Sequence, residues 1–436
     1  MSSDDRPEAA EPHDVGLLSP VSILVADAVS DAAVVERMVA AELALLRAYV
    51  AEGHAPASVG AAAEAVSVAI ELSALARDAV PGGNPVIPLV ALLRRQVAAV
   101  DDDAAGWVHR GATSQDILDT ALMLLCRDVA AAIEQQLARA IAATAALAER
   151  HRDDPAAART LTQHAVPTTL GLKAALWTRG LVRARAELAR VAATLPAQLG
   201  GAGGTLAAIA ERIGVDAALE LPRAYARELG LAAPASVWHT DRAPVTAIGA
   251  ALAGVVSTAG VLASDVAQLA RTEVGEASPA SGGGSSTMPQ KANPVDAVLV
   301  RSAALRAPSL LATLQLAAGL AVDERPDGAW HAEWPTLQEL LRLTLGTAER
   351  TAALAEGLVL HPERARANLD ATAGAILSER LAIHLTPLIG RERFDALVAD
   401  AAGARCAPAS PRCPRQPNSI STRSSTRAAT SAWPDA

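Results

Sequence analysis

Residues 282–294 read GGGSSTMPQKANP, a run of three glycines, two serines, a methionine, a lysine, an asparagine and two prolines. Lysine is scarce: of 38 Lys+Arg residues, only Lys173 and Lys291 are lysines. A lysine kept against such an arginine bias suits the role of a compact point charge, which a planar guanidinium fills poorly. The consecutive glycines open backbone angles closed to other residues and predict a mobile loop. Ser285 and Ser286 would then stand beside backbone N–H donors and a cation, an environment that favours an alkoxide. Lys291 and Asn293 would hold a developing oxyanion, such as a carboxylate-stabilised carbanion. No His or Asp nearby in sequence sets up an ordinary triad, so any such partner comes from elsewhere in the chain. A plain Gly/Ser linker needs no Met-Pro-Gln-Lys-x-Asn-Pro continuation.

Two further stretches carry chemistry. Residues 107–120 read WVHRGATSQDILDT. Thr113 and Ser114 stand just before a helix, where free N–H groups and the helix dipole favour an anion. The same TSQD is also an ordinary N-cap, and both readings hold together. His109 either pairs with a substrate or anchors its own turn. Residues 323–334 read DERPDGAWHAEW. Arg325 can grip a carboxylate bidentately, while Trp330, His331, Glu333 and Trp334 are expected to pack and orient.

At 284–294 the chain resembles the fumarase/aspartase superfamily. Its signature loop, Gly-Ser-Ser-x-Met-Pro-x-Lys-x-Asn-Pro, is matched at every fixed position. The resemblance implies an all-α fold: a fumarase/aspartase-type long-helix bundle forming a multi-helix tetramer core, with smaller helical end domains. It implies addition to, or elimination from, a carbon next to a carboxylate, with no metal and no organic cofactor. The family's catalytic serine is the first of the pair, Ser285, and Lys291 and Asn293 map to substrate-carboxylate and oxyanion contacts. Ser286 and Met288 fall inside the same match and join the substrate-binding set. His109, Thr113 and Ser114 lie in the superfamily's first block, where the latter two bind a substrate carboxylate. Residues 158–173, ARTLTQHAVPTTLGLK, match the second block and carry over Thr160 and Gln163. Fumarases and adenylosuccinate lyases place a His after the Arg-Thr pair. Here Leu161 occupies that position, and His164 is the candidate replacement acid or base. A lone His is more often structural than catalytic, so the proton carrier stays open between Ser285 and His164.

Within the superfamily, 83–90 (GNPVIPLV) and the WVHRGATSQDILDT, SSTMPQKANPV and GAWHAEW segments together resemble the bacterial 3-carboxy-cis,cis-muconate cycloisomerases, over roughly residues 16–400. That branch implies a small tricarboxylate substrate, lactonised to 4-carboxymuconolactone in protocatechuate/β-ketoadipate degradation. It also implies a homotetramer with sites shared between subunits. The segment LLSPV lacks the Arg-Tyr pair of adenylosuccinate lyases, and Val298 stands where they carry a Glu; both argue against a nucleotide substrate. Lyases of the adenylosuccinate or argininosuccinate type remain alternatives, as does a catalytically impaired helical oligomer.

Composition frames these motifs. The 436 residues are 51% hydrophobic but only 2% aromatic, so the core is expected to be Ala, Leu and Val. A net charge of −9 argues against a nucleic-acid partner. Three cysteines at 126, 406 and 413 form neither a disulfide framework nor a zinc spacing, which fits a reducing cytoplasm. The polar, acidic residues 1–15 read as a disordered lead-in without a secretory pattern. Residues 16–105 read as an N-terminal helical domain, with Ser30-Asp31 capping a helix and 81–85 (PGGNP) a break. Residues 106–358 read as the long-helix bundle, with helices over 114–152, 167–196, 243–273, 295–320 and 335–358 and no alternating strand pattern of any length. The uncharged window 243–264 is long enough to span a membrane, yet its Ala, Gly, Val, Thr and Ser suit a buried helix better, and no membrane partner is expected. Residues 359–402 read as a partial C-terminal helical domain. Residues 403–436, rich in Ser, Thr, Arg and Pro, read as an irregular tail, disordered or frameshifted.

Overall fold

The computed structural model describes residues 16–279, 283–285 and 288–403, with backbone alone at 283–285, 289, 290 and 401–403. The expectations for the lead-in, for Ser286 and for most of the tail lie outside the described residues. Those described divide into two compact units: 16–156 with 168–368, and 157–167 with 369–403.

The first unit is an all-α bundle of long helices: Ser114–Arg150, Leu170–Ala192, Ala243–Leu269, Val295–Gly319 and Gly328–Glu356. The longest has 37 residues, a length of about 55 Å at 1.5 Å rise per residue. Each packs on its neighbours through Ala, Leu and Val, including Leu125, Leu137, Leu181, Val255, Leu262 and Leu340, all nearly or wholly excluded from solvent. Small residues set the helix spacing. A Cβ built on Gly260 would lie 2.7 Å from the Cβ of Ala304, so the Ala243–Leu269 and Val295–Gly319 helices touch where only glycine fits. The uncharged window lies inside this bundle, with Val255, Val256, Ala259 and Ala263 buried. A chain of hydrophobic residues on all sides is what an interior helix requires.

Against its side pack Asp31–Ala51 and Val215–Leu229. The Ser30 hydroxyl accepts from the Ala33 N–H at 3.3 Å, the cap that Ser30-Asp31 predicts. In the second unit, residues 369–403 form the helices Ser378–Ile389 and Arg391–Gly403, with Phe394 buried.

Two helix starts are corrected. Residues 167–169 end a strand, Gln163–Thr169, and the helix begins at Leu170, where the Thr169 hydroxyl caps the Leu172 N–H at 3.0 Å. The last long helix begins at Gly328, not at Pro335, which it carries inside. Proline normally marks a first turn, but here Trp330 is buried and meets Trp334 edge to face at 4.5 Å, so aromatic packing carries the helix through the proline. Among the described residues three two-stranded sheets occur: Pro155–Thr160 with Gln163–Thr169, Ala277–Pro279 with Leu358–Leu360, and Gly283–Ser285 with Met288–Asn293.

Candidate active site

The N-terminus of the Ser114–Arg150 helix is built around one carboxylate. Asp116 is fully buried and accepts from the N–H groups of Thr113, Gly200 and Gly201, each at 2.9 Å. His239 Nε2 lies 2.8 Å from it as a fourth partner. An ionised carboxylate offers about four acceptor positions, and filling them is what lets the charge leave water. Glycine is required at the approach: Gly201 has φ +74°, and a Cβ there would lie 3.0 Å from the Gly111 carbonyl oxygen. Thr120 extends the clamp, accepting from Gln198 N–H at 2.9 Å. The residues before the helix are thus fixed from 111 to 116.

Onto this turn comes Arg325, whose guanidinium donates to the Thr113 hydroxyl. A permanent cation therefore stands at the positive end of a 37-residue helix. The Arg325 guanidinium, the Thr113 hydroxyl and a helix N-terminus meet there, groups whose chemistry suits a carboxylate.

A buried ion-pair node sets that relationship. Arg242 donates to Asp119 through both terminal nitrogens, at 2.8 and 3.0 Å, and to Glu333 at 2.7 Å. Trp330 Nε1 donates to Asp119 at 2.9 Å. All three charged groups are excluded from solvent. Burial opposes the Arg242 charge, yet Asp119 and Glu333 hold its pKa above the ordinary arginine range. Burial pushes the Glu333 carboxyl up, with Arg242 pulling the other way. The node joins the helix that follows Thr113 to the helix that follows Arg325. Sequence reasoning missed Arg242 and Asp119. The available signal was Asp116 and Asp119 three apart on one helix face, within an otherwise apolar run.

Of the glycine-serine run, the described residues Gly283–Ser285 pair as a strand with Met288–Asn293, where a mobile loop was expected. Gly283 pairs with Asn293, Gly284 with Ala292 and Ser285 with Met288, with an irregularity between Gly284 and Ser285. Glycines without side chains let the two strands pair at close quarters. The backbone of Ser285 thereby shares a hairpin with Met288, Lys291 and Asn293. Met288 and Lys291 are exposed, and Asn293 is half-buried. Ahead of the hairpin, the Ser278 hydroxyl lies 2.9 Å from His361 Nε2 and ties the entering strand to the Leu358–Leu360 side.

Thr160, Gln163 and His164 share the other hairpin, whose tip belongs to the second unit. Its two turn residues, Leu161 and Thr162, have φ +46° and +70°. Two left-handed residues are what a two-residue type I′ turn demands, here without glycine. Leu161 is 96% exposed. Thr160 and Gln163 are exposed and His164 is half-buried. His109, at φ +59°, places Nδ1 2.6 Å from Glu42 Oε1. Among the described residues, no group of three or more His, Cys, Asp or Glu could hold a metal ion.

The long-helix bundle, with the paired strands Gly283–Ser285 and Met288–Asn293, is that of a lyase-type enzyme. The family model described as "Lyase" matches residues 28–308, and the chain belongs to this lyase family of the fumarase/aspartase superfamily. The nitrosuccinate lyase of Streptomyces davaonensis is 50% identical over 410 residues, covering 91% of this chain and 86% of that one. The 3-carboxy-cis,cis-muconate cycloisomerase of Pseudomonas aeruginosa is 44% identical, covering 85% and 80%. Among solved structures, the 3-carboxy-cis,cis-muconate lactonizing enzyme of Pseudomonas putida superposes with a TM-score of 0.79 at 36% identity, over 87% of this chain and 84% of that one. The chain is accordingly an enzyme of lyase/isomerase type. The nitrosuccinate relative adds a candidate to the tricarboxylate and the alternatives considered from sequence.

Proposed function

We propose that this enzyme catalyses β-elimination from nitrosuccinate, releasing nitrite and fumarate. The reaction class is supported by Arg325 on Thr113 at a helix N-terminus, a seat for one substrate carboxylate. The substrate follows the relative with which the chain shares half of its aligned residues.

A base removes the proton from the carbon next to the free carboxylate. The electron pair first rests on that carboxylate as an aci-carboxylate, which Lys291 and Asn293 stabilise. It then forms the carbon–carbon double bond as the carbon–nitrogen bond breaks and nitrite leaves with its electrons. Ser285 is assigned the base and His164 is the alternative. Thr113, Ser114, Arg325 and His109 bind carboxylates, while Thr160, Gln163, Ser286 and Met288 complete the substrate contacts. Stabilisation that grows as charge reaches the carboxylate is what accelerates the step.

The second reading is lactonisation of 3-carboxy-cis,cis-muconate, favoured by several relatives and solved structures of that name. There a carboxylate oxygen adds across a double bond and the same base returns a proton to carbon. Either reaction is assigned to a homotetramer with sites shared between subunits. Val298, Leu305 and Leu316 on the Val295–Gly319 helix are exposed, an apolar surface that other copies would cover.

The test is to offer both substrates separately to the purified protein. Nitrite and fumarate appearing in equal amounts supports the first reading. Loss of the conjugated diene without nitrite release replaces it with the second, and turnover of neither overturns both.

A further inference from the structure

We propose that Glu42 is a positioning residue that holds His109 by Nδ1 and leaves Nε2 for the substrate. The inference rests on the elimination reading above. Glu42 lies within the Asp31–Ala51 helix, far in sequence from every motif, and is fully buried. Its Oε1 is 2.6 Å from His109 Nδ1, and its Oε2 has no hydrogen-bond partner among the described residues. A buried carboxylate is costly unless paired. His109 is the one described donor to this one, so Glu42 favours a proton on Nδ1.

That assignment fixes the rest of the ring. With Nδ1 protonated, Nε2 is an acceptor in the neutral imidazole and a donor in the imidazolium. Among the described residues, Nε2 makes no hydrogen bond. The turn that carries the ring is held against strain. His109 is left-handed at φ +59°, a conformation disfavoured for any residue with a Cβ. Tyr49 Oη donates to the Arg110 carbonyl at 2.9 Å, and the Arg110 guanidinium lies 4.0 Å from the centre of the Trp107 ring. The same turn runs on into Gly111 and Thr113, where Arg325 docks. An imidazole oriented by a buried carboxylate therefore stands on the turn that forms the carboxylate seat. Its Nε2 is left to meet a substrate carboxylate or the departing nitrite.

A double-mutant cycle tests this on the full-length protein with Glu42→Gln, His109→Asn and the double variant. The expected result is a fall in kcat of about tenfold or more for Glu42→Gln, with KM within about threefold, and no further loss when Glu42→Gln is added to His109→Asn. Wild-type kcat in Glu42→Gln, or the same loss in the His109→Asn background, overturns the proposal. Should Glu42→Gln not fold, Glu42→Asp enters the cycle with the same criteria. Should the wild type turn over neither substrate, the function reading fails separately, and the cycle is read by calorimetry with fumarate as the probe. Weaker binding in Glu42→Gln that vanishes in the His109→Asn background then supports the proposal. Fumarate bound equally by all four proteins, or by none, overturns it.

Discussion

The guanidinium of Arg325 donates to the hydroxyl of Thr113, the N-cap of the Ser114–Arg150 helix. The two residues lie 212 positions apart in sequence, so the contact is a product of the fold. It joins a fixed positive charge to a helix end that already favours anions.

Arg325→Met is expected to lower kcat/KM for nitrosuccinate by about 10- to 100-fold, the worth of one or two hydrogen bonds to a charged group. Arg325→Lys restores charge without the bidentate fork and is expected to recover only part of this. Steady-state kinetics with a thermal melt on each variant measures both. Unchanged kcat/KM in Arg325→Met would remove the residue from the carboxylate seat.

The Arg242 node carries a separate prediction. Arg242→Met leaves Asp119 and Glu333 buried without their cation, which is expected to cost about 3–5 kcal/mol. Chemical denaturation would show the midpoint moving down with the slope preserved. A loss within about 0.5 kcal/mol, the range of ordinary surface substitutions, would mean the node is not a structural centre.

Cys126 is fully buried, and burial pushes its thiol well above the usual cysteine range. Thiolate is the reactive form. At pH 8 the native protein is therefore expected to leave Cys126 unmodified by iodoacetamide, with full alkylation after denaturation. Mass spectrometry of the peptide that contains it reads the outcome, and rapid native labelling would contradict the packing of the Ser114–Arg150 helix.

Much of this architecture was legible in the sequence, and the reasons for the remainder are physical. The run at 284–294 and the long Ala/Leu/Val helices announce the family and its bundle because they are local patterns. Ser30 and Thr113 announce helix starts for the same reason. Arg242 carries no signal of its own, and the Asp116–Asp119 spacing does not say which cation meets it, because the ion pairs of Arg242 with Asp119 and Glu333 span more than 90 positions. Glu42 is equally silent: in the Asp31–Ala51 sequence it reads as one more helical glutamate, and only His109 across the fold gives it a role. The two hairpins escaped for another reason. Leu161 and Thr162 adopt left-handed angles usually reserved for Gly and Asn, so turn chemistry points away from the turn that forms. At Gly283 and Gly284, glycine permits pairing as readily as mobility, and composition cannot choose between them.

In the proposed reaction the Gly-Ser-Ser segment carries out elimination next to a carboxylate, with Ser285 as the base. The most direct measurement is the initial rate of nitrite release from nitrosuccinate by the wild-type protein and by Ser285→Ala at matched oligomeric state. Steady release by the wild type is expected, with a rate in the variant lower by about 100-fold or more. Equal rates in the two proteins would contradict it.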